Sequence, residues 1–419
     1  MIVALLRKRA ARAAIWHALA HKRTLAVMVS SMRTSSLGLL LVSTLLACAA
    51  DSSGGCPDEP GVICTVIGTG KLGFNGDERP AIDSDLYWPV DITFDPNGHT
   101  YLLDWNNHRV REWLPDGTLL TVVGTDFIGD GPDDLSDLTP EGALGTDVNL
   151  NHPTQMVPMP DGKPILVSWH NHKLRRLDPK SGRVWVIAGS APGFAGDGGP
   201  ARDALFNQPS QATADSQGAL YVLDQRNQVI RRIDKKGIVE TIAGTPTQAG
   251  FAGDGGPATE AMLAFPAGSN PPPAGGLALD DKDHLYVSDT LNHRIRVIDL
   301  SSGVIDTLAG TGKAGFGGDG GPATEAKLNN PRKLAMGPDG KLYVGDERNH
   351  RIRVIDLKTG VIDTAVGNGK GRFAGDGGPA TSASLKRPTG VAFDEEGAMY
   401  VIDTYNSRVR RVGAMEEVK

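Results

Sequence analysis

Gly196-Asp197-Gly198-Gly199-Pro200-Ala201 is one copy of a short phrase that runs through this 419-residue chain. The same six residues return at 253–258, 318–323 and 375–380, a weaker version opens the series at 76–81, and a degraded version occupies 129–132. A phrase that recurs at this spacing indicates one small structural unit built over and over, and the number of units then sets the fold.

A second phrase follows each copy of the first. Its clearest form is Leu-Tyr-Val-x-Asp-x-x-Asn-x-x-x-Arg, at residues 342–353. The second copy along the chain keeps Asn171 and Arg175 but has Ser168 where the others have Asp. This position recurs at intervals of 56 to 65 residues, and it defines six units: Asp104, Ser168, Asp224, Asp289, Asp346 and Asp403.

Each unit contains four short strand signals separated by tight turns. In the fifth unit the signals are residues 334–336, 342–344, 352–355 and 361–366, with Asp-Gly and Thr-Gly turns between them. A four-stranded antiparallel meander repeated six times predicts an all-β fold, a six-bladed β-propeller with one sheet per blade.

The two ends of the chain are complementary. The last unit stops after its third strand, near Val412, whereas residues 61–70 match residues 303–312, which form a fourth strand with its exit turn. We therefore predict that residues 61–68 supply the missing outer strand of blade six, which closes the ring and removes an open sheet edge.

The paired phrases resemble the NHL repeat, in the Gly-Asp-Gly-Gly-Pro-Ala form of many bacterial secreted proteins, and they are similar to the NHL propeller of teneurins. The resemblance covers residues 61 to about 412 and implies the same six-bladed fold. It does not imply one activity, because that fold carries binding proteins and enzymes alike.

The first 47 residues have the composition of a bacterial export signal. They contain seven basic residues and no acidic residue, and the apolar run 37–46 leads into Ala47 and Cys48. Residues 45–48 resemble a lipobox, whose Cys48 receives a diacylglyceride, and the apolar run is too short for a stable transmembrane helix. An ordinary cleaved signal or an uncleaved anchor is the alternative, and Met32 is a candidate for the functional start.

These features predict four parts: an export signal at 1–47, a lipidated flexible tether at 48–60, the propeller at 61–412 and a short tail at 413–419. The protein is then expected in the bacterial cell envelope, facing the periplasm or the cell surface and attached to the membrane through its lipid alone. In that oxidising compartment Cys56 and Cys64 are predicted to form a disulfide, with two free thiols as the alternative.

The net charge of the chain limits the kinds of partner that we expect. Without residues 1–47 the chain keeps 36 basic and 49 acidic residues, a net charge of −13. A chain this acidic lacks the basic footprint that binds phosphate backbones, so we expect no nucleic-acid partner. We expect a monomer that binds an envelope or extracellular protein, a peptide or a glycan.

Residues repeated in every unit are predicted to be scaffold. The Asp and Arg of the second phrase are expected to pair, and its Asn is expected in a turn that visits positive φ. Propeller topology predicts that the Gly-Asp loops and the Asp-x-x-Asn turns all surround one mouth of the central channel, where ligands of propellers usually bind. The histidines that directly follow the Asn are predicted to be scaffold as well: His108, His172, His293 and His350.

Departures from the repeat gather in blades one and two, and we interpret them as a ligand-binding surface. They follow the turn Asp position, precede the inner strands or lie within those strands: Trp88, Asp91, Trp105, His152, Gln155, Trp169 and His170. Tryptophan beside acids and histidine suits a sugar, a peptide or a cationic group. The alternative is that the tryptophans pack beneath the long acidic loop at residues 125–151.

No cofactor is expected. A divalent metal at His152 and His170, with a nearby Asp, is the weaker alternative. It would favour an enzyme, either a metal-dependent lyase or a lactonase-like hydrolase similar to the gluconolactonase propellers. The chain resembles the peptidyl-α-hydroxyglycine α-amidating lyase as a six-bladed NHL propeller, but the catalytic set of that enzyme has no match here, so no catalytic residue is assigned. The leading hypothesis is a non-enzymatic, lipid-anchored binding scaffold, and a purely structural envelope component is the third.

Overall fold

Four strands form each of six antiparallel sheets in a computed structural model that describes residues 59–268 and 271–414. The first two strands of each blade run up and down beside the central axis. The inner strands are Pro89–Phe94, Pro153–Val157, Pro209–Ala214, Leu277–Leu279, Pro331–Met336 and Gly390–Phe393. The second strands are Thr100–Asp104, Ile165–Ser168, Leu220–Asp224, His284–Asp289, Leu342–Asp346 and Met399–Asp403.

The remaining two strands of each blade complete the meander toward the periphery. The third strands are Arg109–Trp113, Lys173–Asp178, Val229–Ile233, Arg294–Asp299, Arg351–Ile355 and Arg408–Val412. The outer strands of blades one to six are Thr118–Val123, Arg183–Ala188, Val239–Ala243, Val304–Ala309, Val361–Val366 and Val62–Ile67. The all-β, six-bladed prediction is confirmed.

The inner strands form a closed ring. Each contacts the inner strand of the next blade, and the strand of blade six contacts that of blade one. Six hydrophobic clusters of buried residues lie between adjacent blades, one at each junction. Each sheet therefore buries apolar side chains on both of its faces.

The ring closes as the sequence predicts. Val62–Ile67 pairs antiparallel with Arg408–Val412, with Ile63 opposite Val412 and Thr65 opposite Arg410. Cys64 in this strand is disulfide-bonded. Cys56 lies outside the described residues, as do the export signal, Cys48, most of the tether and most of the C-terminal tail, so these stay predictions.

The Gly-Asp-Gly-Gly-Pro-Ala phrase does not line the channel mouth, and that expectation was wrong. Its Gly-Pro pair forms a fifth, two-residue strand on the outer strand of the following blade, as Gly256–Pro257 does on Val304–Ala309. The other such strands are Arg79–Pro80, Ala143–Leu144, Gly321–Pro322 and Gly378–Pro379. The phrase runs outward because its Asp reaches the third and outer strands, and its Gly-Pro pair then covers the edge that the blade would otherwise expose.

A buried arginine on the third strand is the centre of each blade. Arg296 is fully buried, lies 3.5 Å from Asp289 at the turn and 2.6 Å from Asp254 of the Gly-Asp phrase, and stacks on Phe251. The predicted Asp–Arg pair is confirmed within each blade that has the Asp, and the second carboxylate was not foreseen. Such pairs fix orientation more than they add net stability.

The Asp-x-x-Asn segments are single 3-10 turns between the second and third strands. They are Trp105–Asn107, Trp169–Asn171, Gln225–Asn227, Thr290–Asn292, Glu347–Asn349 and Thr404–Asn406. Positive φ falls on the residue after the Asn, such as His350 at 56°, rather than on the Asn itself. The other 3-10 turns are Ala81–Asp83, Ser136–Leu138, Gly145–Asp147, Ala258–Glu260, Ala323–Glu325 and Ala380–Ser382. Over residues 59–268 and 271–414, no helix has the length and apolar character needed to cross a bilayer.

Candidate functional site at the channel mouth

The mouth consists of the 3-10 turns and the residues directly before the inner strands. These two sets meet because each inner strand starts opposite the end of its second strand, as Pro89 does opposite Asp104. Trp88, His152, Gln208, Asn330 and Arg387 precede inner strands, and all have positive φ, between 49° and 56°. This conformation sets the side chains of these residues at the same end of the blade as the turns.

Three aromatic rings form an arc across blades six and one. Trp88 stacks on Trp105 with ring centroids 6.2 Å apart, and on Tyr405 with centroids 4.9 Å apart. All three side chains are partly exposed. We call Trp88, Trp105 and Tyr405 the aromatic arc. It presents partly exposed aromatic side chains, which can contact sugar rings and peptide groups.

Histidines extend this surface into blade two. The His152 ring lies 4.4 Å from Trp105 and 4.9 Å from His170, measured between centroids. Nδ1 of His152 is 2.9 Å from Nδ1 of His170, so the two side chains meet as the metal hypothesis required.

These imidazoles are held neutral. Burial lowers the pKa of His152 to about 3 and that of His170 to about 4, and neighbouring histidines add to the effect. Burial likewise lowers the pKa of His108 to about 4. At neutral pH the mouth therefore offers uncharged aromatic rings with ring nitrogens that hydrogen-bond.

The donors available for a metal are largely occupied. Nδ1 of His152 also lies 2.7 Å from Oδ1 of Asn151, and its Nε2 lies 3.0 Å from Oδ1 of Asn106. Among the described residues, no group of three or more His, Cys, Asp or Glu is arranged to hold a metal ion. His152 and His170 supply two nitrogens, whereas protein zinc sites use three or four protein ligands.

Trp169 lies beneath this surface. It is fully buried, and its ring stacks on His170 at 3.8 Å and lies 6.1 Å from Trp105. Its Nε1 has no hydrogen-bond partner. The packing alternative therefore describes Trp169, whereas Trp88 and Trp105 keep exposed surface.

Asp91 and Gln155 also lie below the mouth, where they join inner strands. Oδ2 of Asp91 accepts the backbone N–H of Met156 in blade two at 3.2 Å. Oε1 of Gln155 accepts that of Ala212 in blade three at 2.7 Å. Neighbouring blades share no strand pairing, so these side chains supply hydrogen bonds that the sheets do not.

An ion pair crosses the central channel. Lys333 of blade five reaches Asp91 of blade one, past blade six. Gly390 of blade six makes room, because a Cβ there would lie 2.6 Å from Cβ of Lys333. Burial raises the pKa of Asp91 above its ordinary 3.8, and the Lys333 ammonium opposes that shift. The pair therefore links blades five and one at the level of the inner strands.

The rim of blades five and six is charged. The Arg387 guanidinium lies 4.6 Å from the centre of the Tyr405 ring and 2.9 Å from Glu347, which Arg332 also contacts at 3.0 Å. Although burial opposes it, these two arginines lower the pKa of the Glu347 carboxyl. The aromatic arc therefore ends on a fixed positive charge.

The segment before the inner strand of blade four contacts the turn of blade three. Gln225 is fully buried, and its Nε2 donates to the carbonyls of Pro266 and Pro272, both at 3.0 Å. Its Oε1 accepts the N–H of Ala274 at 2.9 Å. These hydrogen bonds link blades three and four at the mouth.

The acidic loop of blade two compensates for Ser168. Arg175 is fully buried and lacks the turn Asp, and Asp137 of the loop replaces it with an Nε–Oδ2 distance of 3.2 Å. Asp130 lies 2.5 Å from the same arginine. At least two of the loop carboxylates are thus structural.

The structure brings four of the seven predicted site residues together at the surface, namely Trp88, Trp105, His152 and His170. Sequence reasoning missed Tyr405 and Arg387. The signal for Arg387 was present, because it precedes Pro388 as Trp88 precedes Pro89. The signal for Tyr405 was weaker, because Tyr405 lies two residues after the turn Asp and the repeated phrase has no fixed residue at that position.

A scan against protein families matches the NHL repeat at residues 274–298 and 328–355. Teneurin-1 of Mus musculus is 26% identical over 395 residues, which cover 84% of this chain and 13% of the teneurin. NHL repeat-containing protein 2 of Bos taurus is 29% identical over 300 residues, which cover 64% of this chain and 38% of that protein. The chain therefore spans only a minor part of the length of these relatives.

Solved structures share the architecture at low identity. An auxiliary nutrient binding protein from Bacteroides thetaiotaomicron has a TM-score of 0.59 and 16% identity, with 84% of this chain and 76% of that one covered. A putative phosphatase from the same organism has a TM-score of 0.54 and 15% identity, with coverage of 85% and 79%. Proteins described so differently share this fold, so the likeness concerns architecture alone. The ring of sheets shows that the chain is a six-bladed β-propeller, and the family match identifies NHL repeats at residues 274–298 and 328–355.

Proposed function

We propose that this protein is a non-enzymatic binding scaffold, anchored by lipid in the bacterial cell envelope, that holds a glycan, peptide or protein ligand against the aromatic arc. The observation that carries the proposal is the stack of Trp88 between Trp105 and Tyr405, in which all three side chains stay partly exposed. Exposed stacked aromatics on a rigid scaffold favour binding, because little conformational entropy is lost when a ligand covers them.

The surroundings of the aromatic arc support the same function. The neutral His152 and His170 offer uncharged rings on one side, and Arg387 offers a charge on the other. A flat aromatic centre with polar groups at its margins suits a sugar or a peptide segment.

The test measures binding to a glycan array and to peptidoglycan fragments, with Trp88→Ala and Trp105→Ala beside wild type. Each variant is expected to lose about thirtyfold or more in affinity, as removal of an interface anchor does, while its circular dichroism stays unchanged. The control is Trp185→Ala, a tryptophan on the outer strand of blade two that is expected to bind as wild type does. Equal loss in all three variants would contradict the proposal.

The lipid anchor is tested separately. Cys48→Ala is expected to release the protein from the membrane fraction and to abolish incorporation of a labelled fatty acid. If the variant still sediments with the membrane and still incorporates the fatty acid, the proposed lipid anchor is contradicted. That result would not affect the binding site proposed at the mouth.

A metal-dependent lyase or lactonase-like hydrolase is the second candidate, and the 2.9 Å contact between His152 and His170 favours it. It requires a bound metal that is lost on substitution of these histidines. Elemental analysis of the purified protein beside His152→Ala and His170→Ala tests it. Stoichiometric metal in wild type alone would favour the enzyme, and equal trace levels in all three would favour the scaffold.

A further inference from the structure

A cavity of about 340 Å³ lies between blades one and six, at the end of the sheets opposite the mouth. It is bounded by the turn after the inner strand of blade one, by Trp113 and Tyr400, and by the corresponding turn of blade six. We call it the seam cleft and define it by six of its lining residues: Asp95, Trp113, Asp394, Glu395, Glu396 and Tyr400.

The seam cleft is strongly acidic. Four of the lining residues are Asp or Glu, and none of the lining residues is Lys or Arg. His99 at the wall is engaged with Glu112 at 2.6 Å, and Arg411 reaches Tyr400. Arg411 offsets part of the charge, and an excess of carboxylate remains.

One carboxylate oxygen in the seam cleft has no partner. Asp95 is 4% exposed, and its Oδ1 accepts the backbone N–H groups of Asn97 and His99, at 2.9 and 2.8 Å. Its Oδ2 is buried without any hydrogen bond. A buried carboxylate oxygen in that state is costly unless a donor occupies it.

Blade four shows what the repeat normally does at this position. Oδ1 of Asp280 accepts two backbone N–H groups in the same way, but its Oδ2 receives the Tyr286 hydroxyl and lies near Nδ1 of His284, both at 2.9 Å. In blade one the equivalent Tyr101 hydroxyl is also unpartnered. Blade one has the same histidine and tyrosine, His99 and Tyr101, but Oδ2 of Asp95 lacks the hydrogen bonds that Oδ2 of Asp280 makes in blade four.

Aromatic walls complete the seam cleft. The Tyr400 ring lies 4.7 Å from Phe94 and 6.2 Å from Trp113 in an edge arrangement. Nε1 of Trp113 is buried without a partner. Aromatic faces beside carboxylates are the surroundings in which proteins bind ammonium and guanidinium groups.

We propose that the seam cleft binds the cationic side chain of a basic peptide, a lysine ammonium or an arginine guanidinium, with Oδ2 of Asp95 as the buried acceptor. Trp113 and Tyr400 would contact the alkyl stem and the face of the cation, and Glu395 and Glu396 would attract it at the entrance. This site is separate from the mouth and does not depend on the function proposed for it.

The test uses N-acetyl-arginine amide and N-acetyl-lysine amide as probes, with uncharged N-acetyl-norleucine amide as the ligand control. Binding is followed by the indole N–H resonances in ¹⁵N NMR, which are few because the chain has six tryptophans. A Trp113→Phe variant assigns the Trp113 signal. The two cationic probes are expected to shift that signal in a saturable way, and the norleucine probe is not. Absence of a saturable shift with either cationic probe would overturn the proposal.

Asp95→Asn removes the charge but keeps the Oδ1 acceptor that the turn requires. It is expected to weaken arginine-probe binding by about tenfold or more, as loss of a hydrogen bond to a charged group does. Asp280→Asn is the matched control and is expected to bind as wild type does. If Asp95→Asn binds the arginine probe as tightly as Asp280→Asn and wild type do, Asp95 is not the acceptor and the proposal fails.

A double variant, Glu395→Gln with Glu396→Gln, covers the case in which Asp95→Asn does not fold. Both side chains are exposed, so the fold is expected to survive, and arginine-probe binding is expected to weaken and to lose part of its salt dependence. Unchanged binding and unchanged salt dependence would count against the proposal. Trp105→Ala at the mouth is expected to leave probe binding intact, so failure at one site is distinguishable from failure at the other.

Discussion

At the scale of the residue, one hydrogen bond links neighbouring blades at five of the six junctions. In each case the residue directly after the turn Asn accepts a hydrogen bond through its side chain. The donor is the backbone N–H of the residue that directly precedes a proline, before the inner strand of the next blade. The acceptors are Nδ1 of His108, His172, His293 and His350, and Oε1 of Gln228. The prediction that these histidines are scaffold agrees with this geometry, and Gln228 shows that the position needs an acceptor rather than a charge.

These histidines must be neutral to accept, which makes the fold sensitive to acid. Burial lowers the pKa of His350 below its ordinary 6.5, so the unfolded chain binds the proton more readily than the folded one. The stabilisation is therefore complete above about pH 6.5 and is lost as the pH falls below that value.

His350→Gln tests this acid sensitivity, because glutamine keeps the acceptor and does not titrate. The variant is expected to match wild type at pH 8 and to be more stable at pH 5, by up to about 1 kcal/mol, the size of one hydrogen bond. Denaturant unfolding at the two pH values measures it. Other titrating groups are common to both proteins and cancel in the comparison. A parallel loss of stability in both proteins would contradict the role assigned to Nδ1.

At the scale of the element, blade two shows how a blade can neutralise its buried arginine without the turn Asp. It lacks the turn Asp, yet its arginine stays buried because Asp137 from the acidic loop supplies a counter-charge at Nε, whereas the turn Asp of the other blades contacts Nη1. The loop that sequence analysis considered as cover for the tryptophans thus supplies a counter-charge to its own blade. Ser168 removes one carboxylate from the surroundings of Arg175, and the acidic loop supplies another.

Asp137→Ala is expected to lower the free energy of unfolding by about 3 kcal/mol, because it leaves part of a buried guanidinium without its counter-charge. Asp133→Ala in the same loop is the control, and since Asp133 is exposed its effect is expected to be within about 0.5 kcal/mol. Thermal or urea unfolding measures both.

The double variant Asp137→Ala with Ser168→Asp restores the carboxylate that the other blades carry. It is expected to recover most of the lost stability, since Ser168 stands where Asp104 and its equivalents contact the third-strand arginine. No recovery would show that the loop stabilises the blade in some other way than through Arg175.

At the scale of the whole molecule, closure determines which residues become neighbours. Pairing of Val62–Ile67 with Arg408–Val412 brings blade six against blade one. Tyr405 then stacks on Trp88, and Tyr400 lies beside Trp113, although more than 280 residues separate the members of each pair. Both the aromatic arc and the seam cleft exist because the ring is closed.

A circular permutant tests this closure. Gly61 donates its N–H to the carbonyl of Gly413 at 3.1 Å, so a short linker joins the ends. Opening the chain between Ser181 and Gly182 then gives blade two the arrangement that blade six has naturally, with its outer strand at one terminus and its other three strands at the opposite terminus. This permutant is expected to fold and to melt near the wild-type temperature, as measured by circular dichroism.

The matched control opens the chain within the 3-10 turn Glu347–Asn349 of blade five. Asn349 there donates to Asp346 at 2.7 Å and to the carbonyl of Gly315 at 2.6 Å, so this cut is expected to destabilise the blade strongly. Equal stability of the two permutants would mean that closure through an outer strand has no special role.

The sequence by itself determined the number of blades, the order of their strands and the pairing of the ends, because each follows from local phrases repeated along the chain. It also identified Trp88, Trp105, His152 and His170 as departures at one mouth, since topology alone assigns positions to turns. Only the tertiary structure decided that Trp169, Asp91 and Gln155 lie below the surface, that Lys333 spans the channel and that Tyr405 joins the aromatic arc. Those outcomes depend on distances between blades far apart in sequence, where side-chain size and the absence of a Cβ at Gly390 determine which groups meet.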